Sequence, residues 1–210
     1  KSALEANTTG NYNVALGHTA LVSNTTASNN TAVGYISLRD NTTGTENTSV
    51  GMGALANNET ASNNTAMGYY AMVNSTSGAS NVAIGTEALR ENTTASNNTA
   101  VGFQAGYSNT TGTENVFVGG LTGKSTTTGI LNCFVGHKAG QDNTTGYRNA
   151  YFGHFAGESA IGVHNTYIGQ DAGTLMTNGS KNTILGRYNG NQGGLDIRTS
   201  SNNIVLSDGD

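Results

Sequence analysis

The chain has 210 residues and a formal net charge of −4, and its nine Lys and Arg are spread thinly, so no basic patch is offered to nucleic acid. Thirty glycines, 29 Asn and 31 Thr make up well over a third of it, only 35% is apolar, and Pro and Trp are absent, which excludes a large globular core. Cys133 is the one cysteine, so an internal disulfide is excluded, and no apolar run approaches the ~20 residues of a membrane span. Disordered chains of low hydrophobicity are also Pro-rich and highly charged, which this one is not, so its order must come from repetition.

In chain order, the repeat is marked by a closing glycine. It recurs at Gly17, Gly34, Gly51, Gly68, Gly85, Gly102, Gly119, Gly136, Gly153, Gly169 and Gly186, in steps of seventeen with one step of sixteen. An Asn stands four residues before each, from Asn13 to Asn182. The unit reads N-(T/V)-(A/aromatic)-(V/I/L/M/F)-G, then x-x-A-(L/G), then usually N-T-T-(G/A). So short a period is too small for helix pairs and suits one coil of a parallel β-solenoid. Two strands per coil are predicted, at NTAVG and at xxAL, with Gly supplying positive φ at the bends and the Asn column stacking into an amide ladder. Residues 1–186 form about eleven coils, and the opening residues imply that the numbered chain starts inside a longer array. Residues 187–210 break the period and are expected to be an irregular neck or junction.

Strand side chains alternate faces. The residue before each glycine (Leu16, Val33, Val50 and so on to Leu185) and the one two places earlier (Val14, Thr31, to Thr183) share one face, which is assigned to the interior. Cys133 belongs to this column and is expected to be a buried small hydrophobe. The residue between them is then outward: Ala15, Ala32, Ser49, Ala66, Ala83, Ala100, Phe117, Phe134, Tyr151, Tyr167, Ile184. A further column, four residues after each glycine, trades volume with it. Leu21, Leu38, Leu55, Met72 and Leu89 accompany small residues, whereas Gly106, Gly123, Gly140, Gly157 and Gly173 accompany Phe117, Phe134, Tyr151, Tyr167 and Ile184. Columns that trade volume fill one space, although descent from two duplicated repeat types gives the same table. On this assignment these ten large residues form a subunit interface, and a homo-oligomer is expected, because an exposed apolar stripe is an aggregation hazard.

The segments NVAIG (81–85) and NTAVG (30–34, 98–102) resemble the head repeats of trimeric autotransporter adhesins. The arrangement NTAVG-x-x-(S/A)-L…NTTG is similar to arrays in phage tail fibres, and SSNNIVLSDGD (200–210) resembles the junction that precedes their chaperone domain. The resemblance implies a left-handed β-roll, a homotrimer that is intertwined or side by side, a place on a virion tail or cell surface, and contact with host-surface glycans or proteins.

Chemistry is sparse. The carboxylates form no recurring pair, GGLTGKST (119–126) lacks the register of a phosphate loop, and no cofactor, metal site or catalytic group is expected. His18, His137 and His154 share one column expected to be exposed, in which the last two are placed to stack. Tyr35, Tyr69, Tyr70, Phe103 and Phe155 are the candidate receptor contacts, since rings stack on sugar faces. The expected function is a structural, non-enzymatic fibre segment that presents or spaces a receptor-binding surface. The alternatives are an ice-binding module built on the Thr pairs (Thr8–Thr9 to Thr144–Thr145) and a non-catalytic polysaccharide-binding module.

Overall fold

The computed structural model describes residues 2–207. Lys1 and residues 208–210, and with them part of the predicted array start and junction, lie outside the described residues. Among the described residues there is no helix. Eleven three-residue strands, β1 (Val14–Leu16) to β11 (Thr183–Leu185), lie one per coil. They pair in parallel and in register, for example Thr99 with Val116, Ala100 with Phe117 and Val101 with Val118. The result is a β-solenoid of about seventeen residues per coil, as the period requires. Each coil adds ~4.8 Å along the axis.

The second predicted strand is absent. The x-x-A-(L/G) segment is a turn, yet its backbone still bonds coil to coil: Leu21 N donates to Ser37 O (3.0 Å), and Ile36 N to His18 O (3.1 Å). Twenty-seven non-glycine residues among those described have positive φ, in three columns per coil, including Ile36 (51°), Leu38 (50°) and Asn97 (62°). Leucine and isoleucine rarely accept this conformation, which costs about 1–2 kcal/mol per residue. The inter-coil hydrogen bonds and the buried leucine side chains offset it.

The closing glycines have a stricter reason to be glycine. From Gly17 to Gly169 their φ lies between 131° and 142°, and a Cβ on each would fall against the carbonyl of the next closing glycine, 2.5 Å away for Gly34 and Gly51. Backbone therefore rests on backbone at this corner, and no side chain fits between the coils.

The interior inverts the predicted faces. The middle residue of each strand points inward: Ala32, Ala66, Ala100, Phe117, Phe134, Tyr151, Tyr167 and Ile184 are all 0% exposed. The flanking residues point outward and are half-buried or exposed, Cys133 among them. The volume trade is real, but it happens inside one chain, and from Gly123 onward a Cβ on each glycine would meet the ring of the strand before it rather than the one after it, so of the predicted glycine pairs only Gly106 with Phe117 stands. Leu21, Leu38, Leu55, Met72 and Leu89 fill the lumen opposite alanines or Ser49. Where the lumen residue becomes aromatic, glycine replaces leucine, because a Cβ on Gly106 would stand 2.6 Å from the Phe117 ring, and one on Gly173 2.7 Å from the Tyr167 ring. Phe134, Tyr151 and Tyr167 stack along the axis at 4.7 and 4.8 Å between centroids, nearly parallel. These ten residues are thus core, and the expectation that they form a subunit interface is corrected.

Two columns of buried asparagine flank this core. In the first, Asn98 Nδ2 donates to Gly112 O (2.9 Å), and Asn98 Oδ1 accepts from Asn115 N (2.9 Å). The motif repeats from Asn13 to Asn182, whose Oδ1 accepts from Asn203 N, so the predicted amide ladder forms. In the second, Asn24, Asn41 and Asn58 each donate to the amide oxygen one coil back (2.9–3.0 Å). In a chain with few apolar residues, these ladders satisfy the backbone groups that the tight turns leave over.

The segment after Gly186 is more regular than expected. A short antiparallel hairpin, β12 (Asn191–Gln192) and β13 (Leu195–Asp196), turns at Gly193 and Gly194, both with positive φ. The chain then rejoins the same sheet as β14 (Ile204–Leu206), which pairs with β11. Asn203-Ile-Val-Leu-Ser207 is therefore a twelfth repeat with Ser in the glycine place, and Tyr188 and Ile197 fill its lumen.

Candidate interaction surfaces

Because the strands' middle residues face inward, the two flanking columns form the outer face of a twelve-stranded sheet. One column runs Val14, Thr31, Thr48, Thr65, Val82, Thr99, Val116, Cys133, Ala150, Thr166, Thr183, Ile204. The other runs Leu16, Val33, Val50, Met67, Ile84, Val101, Val118, Val135, Phe152, Ile168, Leu185, Leu206. None of these side chains is charged, and Met67, Ile84, Phe152, Ile168 and Leu185 keep roughly two-fifths of their surface in solvent. The face is about 55 Å long at the parallel-strand spacing. Apart from six threonines in the first column, the residues of this face are apolar. The sequence placed the apolar stripe on the strands but chose the wrong phase of the alternation.

A second surface lies at the corner just past the closing glycines. Each residue there is bonded through its carbonyl to the coil above, as Tyr35 O is by Gly53 N and Phe103 O by Leu121 N, so the column is axial. Tyr35, Tyr69 and Phe103 are about half exposed. Tyr70 and Phe155, predicted alongside them, sit one place further on and are half-buried. Tyr70 meets Tyr69 edge-on (4.4 Å), and Phe155 packs against His154 (4.0 Å). Lys138 lies over the Phe155 ring and reaches Glu158 at 3.5 Å. His137 and His154 stack at 5.3 Å, as their spacing suggested, and His18 stacks on Tyr35 at 5.6 Å.

The threonine pairs form a third surface. In the column of Thr8, Thr25, Thr42, Thr76, Thr93, Thr110 and Thr127 the hydroxyl donates to the carbonyl one coil on, as Thr93 does to Thr110 O (3.1 Å) and Thr110 to Thr127 O (3.1 Å). The second column is unbroken and exposed over nine coils: Thr9, Thr26, Thr43, Thr60, Ser77, Thr94, Thr111, Thr128, Thr145. Glu59 interrupts only the first column.

The largest pKa shifts fall in the core. Burial raises the phenol pKa of Tyr151 and of Tyr167, and for Tyr151 the neighbouring Tyr167 adds to the rise. The Tyr151 hydroxyl faces Asn143 and Asn165, and that of Tyr167 faces Asn182, yet neither closes a hydrogen bond of ordinary geometry within the described residues. A phenol whose pKa is raised in the folded chain contributes its full stability below the unfolded value, about pH 10, and loses it as the pH rises above that value. The urea midpoint should therefore hold between pH 7 and 9 and fall above about pH 10. In the double variant Tyr151→Phe/Tyr167→Phe, the alkaline fall should be smaller. Stability of that variant at pH 7 should be unchanged or higher by about 1 kcal/mol, because two unpaired buried hydroxyls are removed.

Among the described residues, no group of three or more His, Cys, Asp or Glu is placed to hold a metal ion, and no helix is long and apolar enough to cross a membrane. No protein-family profile matches the chain, and neither does any curated protein or solved structure.

Proposed function

We propose that this chain is a non-catalytic, rigid fibre segment whose sheet face seats against further copies of itself, and which presents or spaces a host-contacting surface. The observation that carries the reading is the charge-free face. Twelve strands present two outward residues each, twenty-four in all, and a stable interface uses roughly 20–30 residues a side. A second copy brings the same uncharged surface, so the contact is self-complementary in chemistry. The resemblance to trimeric adhesin heads and tail fibres favours three chains, and a place on a virion tail or cell surface.

Light scattering tests the assembly. The single chain has a mass of 21.5 kDa, and a whole-number multiple of it is expected. The variant Val101→Lys/Val118→Lys, on neighbouring strands, should fall to the single-chain mass while its circular dichroism stays unchanged. A monodisperse monomer for the parent chain would overturn the reading.

A second reading is favoured by the unbroken nine-coil hydroxyl column, which the first threonine of each pair holds stiff. Such an array orders water and fits an ice-binding surface. Thermal hysteresis in dilute solution is its test, and an unshifted freezing point discards it.

A further inference from the structure

The ring column has a period the fold does not ask for. The solenoid repeats every coil, and the position after the closing glycine is at least partly exposed in every coil from Gly17 to Gly186. Packing thus makes no demand on what stands there. Yet from Tyr35 to His137 rings recur every thirty-four residues, at Tyr35, Tyr69, Phe103 and His137, with Met52, Thr86 and Gly120 between them, and His18 and His154 flank this stretch at single-coil spacing. A double period also appears at Ser28, Ser62 and Ser96, but there it has a structural use, since each hydroxyl accepts an N–H from the preceding coil (2.9–3.0 Å). Among the described residues the Tyr69 and Phe103 rings stack on no ring of a neighbouring coil, whereas Tyr35 stacks on His18 and His137 on His154.

Two coils separate successive rings by ~9.6 Å along the axis. We infer that this column is a binding track for an extended, equatorially linked polysaccharide running along the solenoid. In such a chain each pyranose is turned over relative to the last. The same sugar face therefore returns at every second unit, and two units extend about as far as two coils. Rings in every coil would be too closely spaced for this register, and rings in every second coil meet alternate sugars. Axially linked glycans coil instead and lose the match. The polar groups beside the track suit sugar hydroxyls: Gln104 Nε2 donates to Glu87 Oε2 (2.7 Å) next to Phe103 and Thr86. Tyr69, at the middle of the series, is braced edge-on by Tyr70. Unsubstituted glucan and N-acetylglucosamine polymers both meet the spacing.

The inference deepens the reading of the chain as a host-contacting fibre, and its test separates the two. Isothermal titration with cellohexaose, chitohexaose and, as the coiled control, maltohexaose should show binding of at least one of the first two and none of the third. Affinity should climb with length, because a disaccharide reaches one ring and a hexasaccharide three. Tyr69→Ala should weaken the hexasaccharide about tenfold, Tyr69→Phe should retain it, and Thr86→Ala should change nothing. Light scattering on each variant confirms that assembly is intact. Failure of both extended hexasaccharides to bind, equal binding of maltohexaose, or an unchanged affinity in Tyr69→Ala would overturn the inference and leave the fibre reading standing. A monomeric parent chain that still binds would do the reverse.

Discussion

Gly102→Ala is expected to destabilise the chain by about 3 kcal/mol or more, from positive-φ strain and a backbone clash together. Gly102 has φ 138°, and an added Cβ would fall onto the Gly119 carbonyl, with the Gly120 nitrogen 3.1 Å away. Neither neighbour is a side chain that could swing aside. The two coils would have to separate, and Gly119 N would move from the Val101 carbonyl it now bonds at 2.8 Å. Solenoid stability is close to a sum over coils and their contacts, so a fault at mid-array should also split the melt into two transitions. Gly193→Ala is the control. Nothing lies within 4 Å of its added Cβ, so only its φ of 61° is charged, at about 1 kcal/mol. Thermal and urea melts followed by circular dichroism decide the matter. A Gly102→Ala protein that melts like its parent would mean that the glycine column does not set the distance between coils.

Asn98→Asp is expected to have an effect as large at neutral pH and a much smaller one in acid. Asn98 is 1% exposed, and its amide donates to Gly112 O (2.9 Å) and Asn81 Oδ1 (3.3 Å). A carboxylate in the same place turns those two bonds into oxygen–oxygen contacts and buries a charge, at a cost of about 3 kcal/mol or more. Burial raises the pKa of the new acid above its unfolded value of about 4. The penalty is therefore full above the folded pKa and shrinks as the pH falls toward the unfolded one, where the neutral acid can again donate to Gly112 O. Asn98→Ala should lose stability without this pH dependence. Urea midpoints of the two variants at pH 7 and pH 4.5 give the comparison, and an Asp variant as stable as its parent at pH 7 would show that the ladder tolerates a charge.

Most of the architecture was legible because a coil repeats its chemistry at a fixed interval. The glycine and asparagine columns gave the period, the strand position and the amide ladder. The twelfth coil was missed: Asn203-Ile-Val-Leu-Ser207 keeps the Asn spacing, but Ser in the glycine place and four extra residues hid it. The second strand was misread because leucine was not expected to accept positive φ. Local preference argues against it, and only the stacked hydrogen bonds of neighbouring coils make it affordable.

The candidate surfaces divide in the same way. The exposure of Tyr35, Tyr69 and Phe103 and the stacking of His137 on His154 followed from one position recurring in every coil. Tyr70 and Phe155 were misplaced because the next position leans back onto its neighbours.

The sequence by itself determined the period, the parallel pairing, the ladders and the fact that two columns share one space. Only the tertiary structure decided which side of the strand encloses that space. Alternation has two phases, and here both carry apolar residues, so polarity could not choose between them. Volume does choose: a closed lumen makes Phe117 and Gly106 depend on each other, whereas the valine column outside faces solvent in the single chain and obeys no such rule.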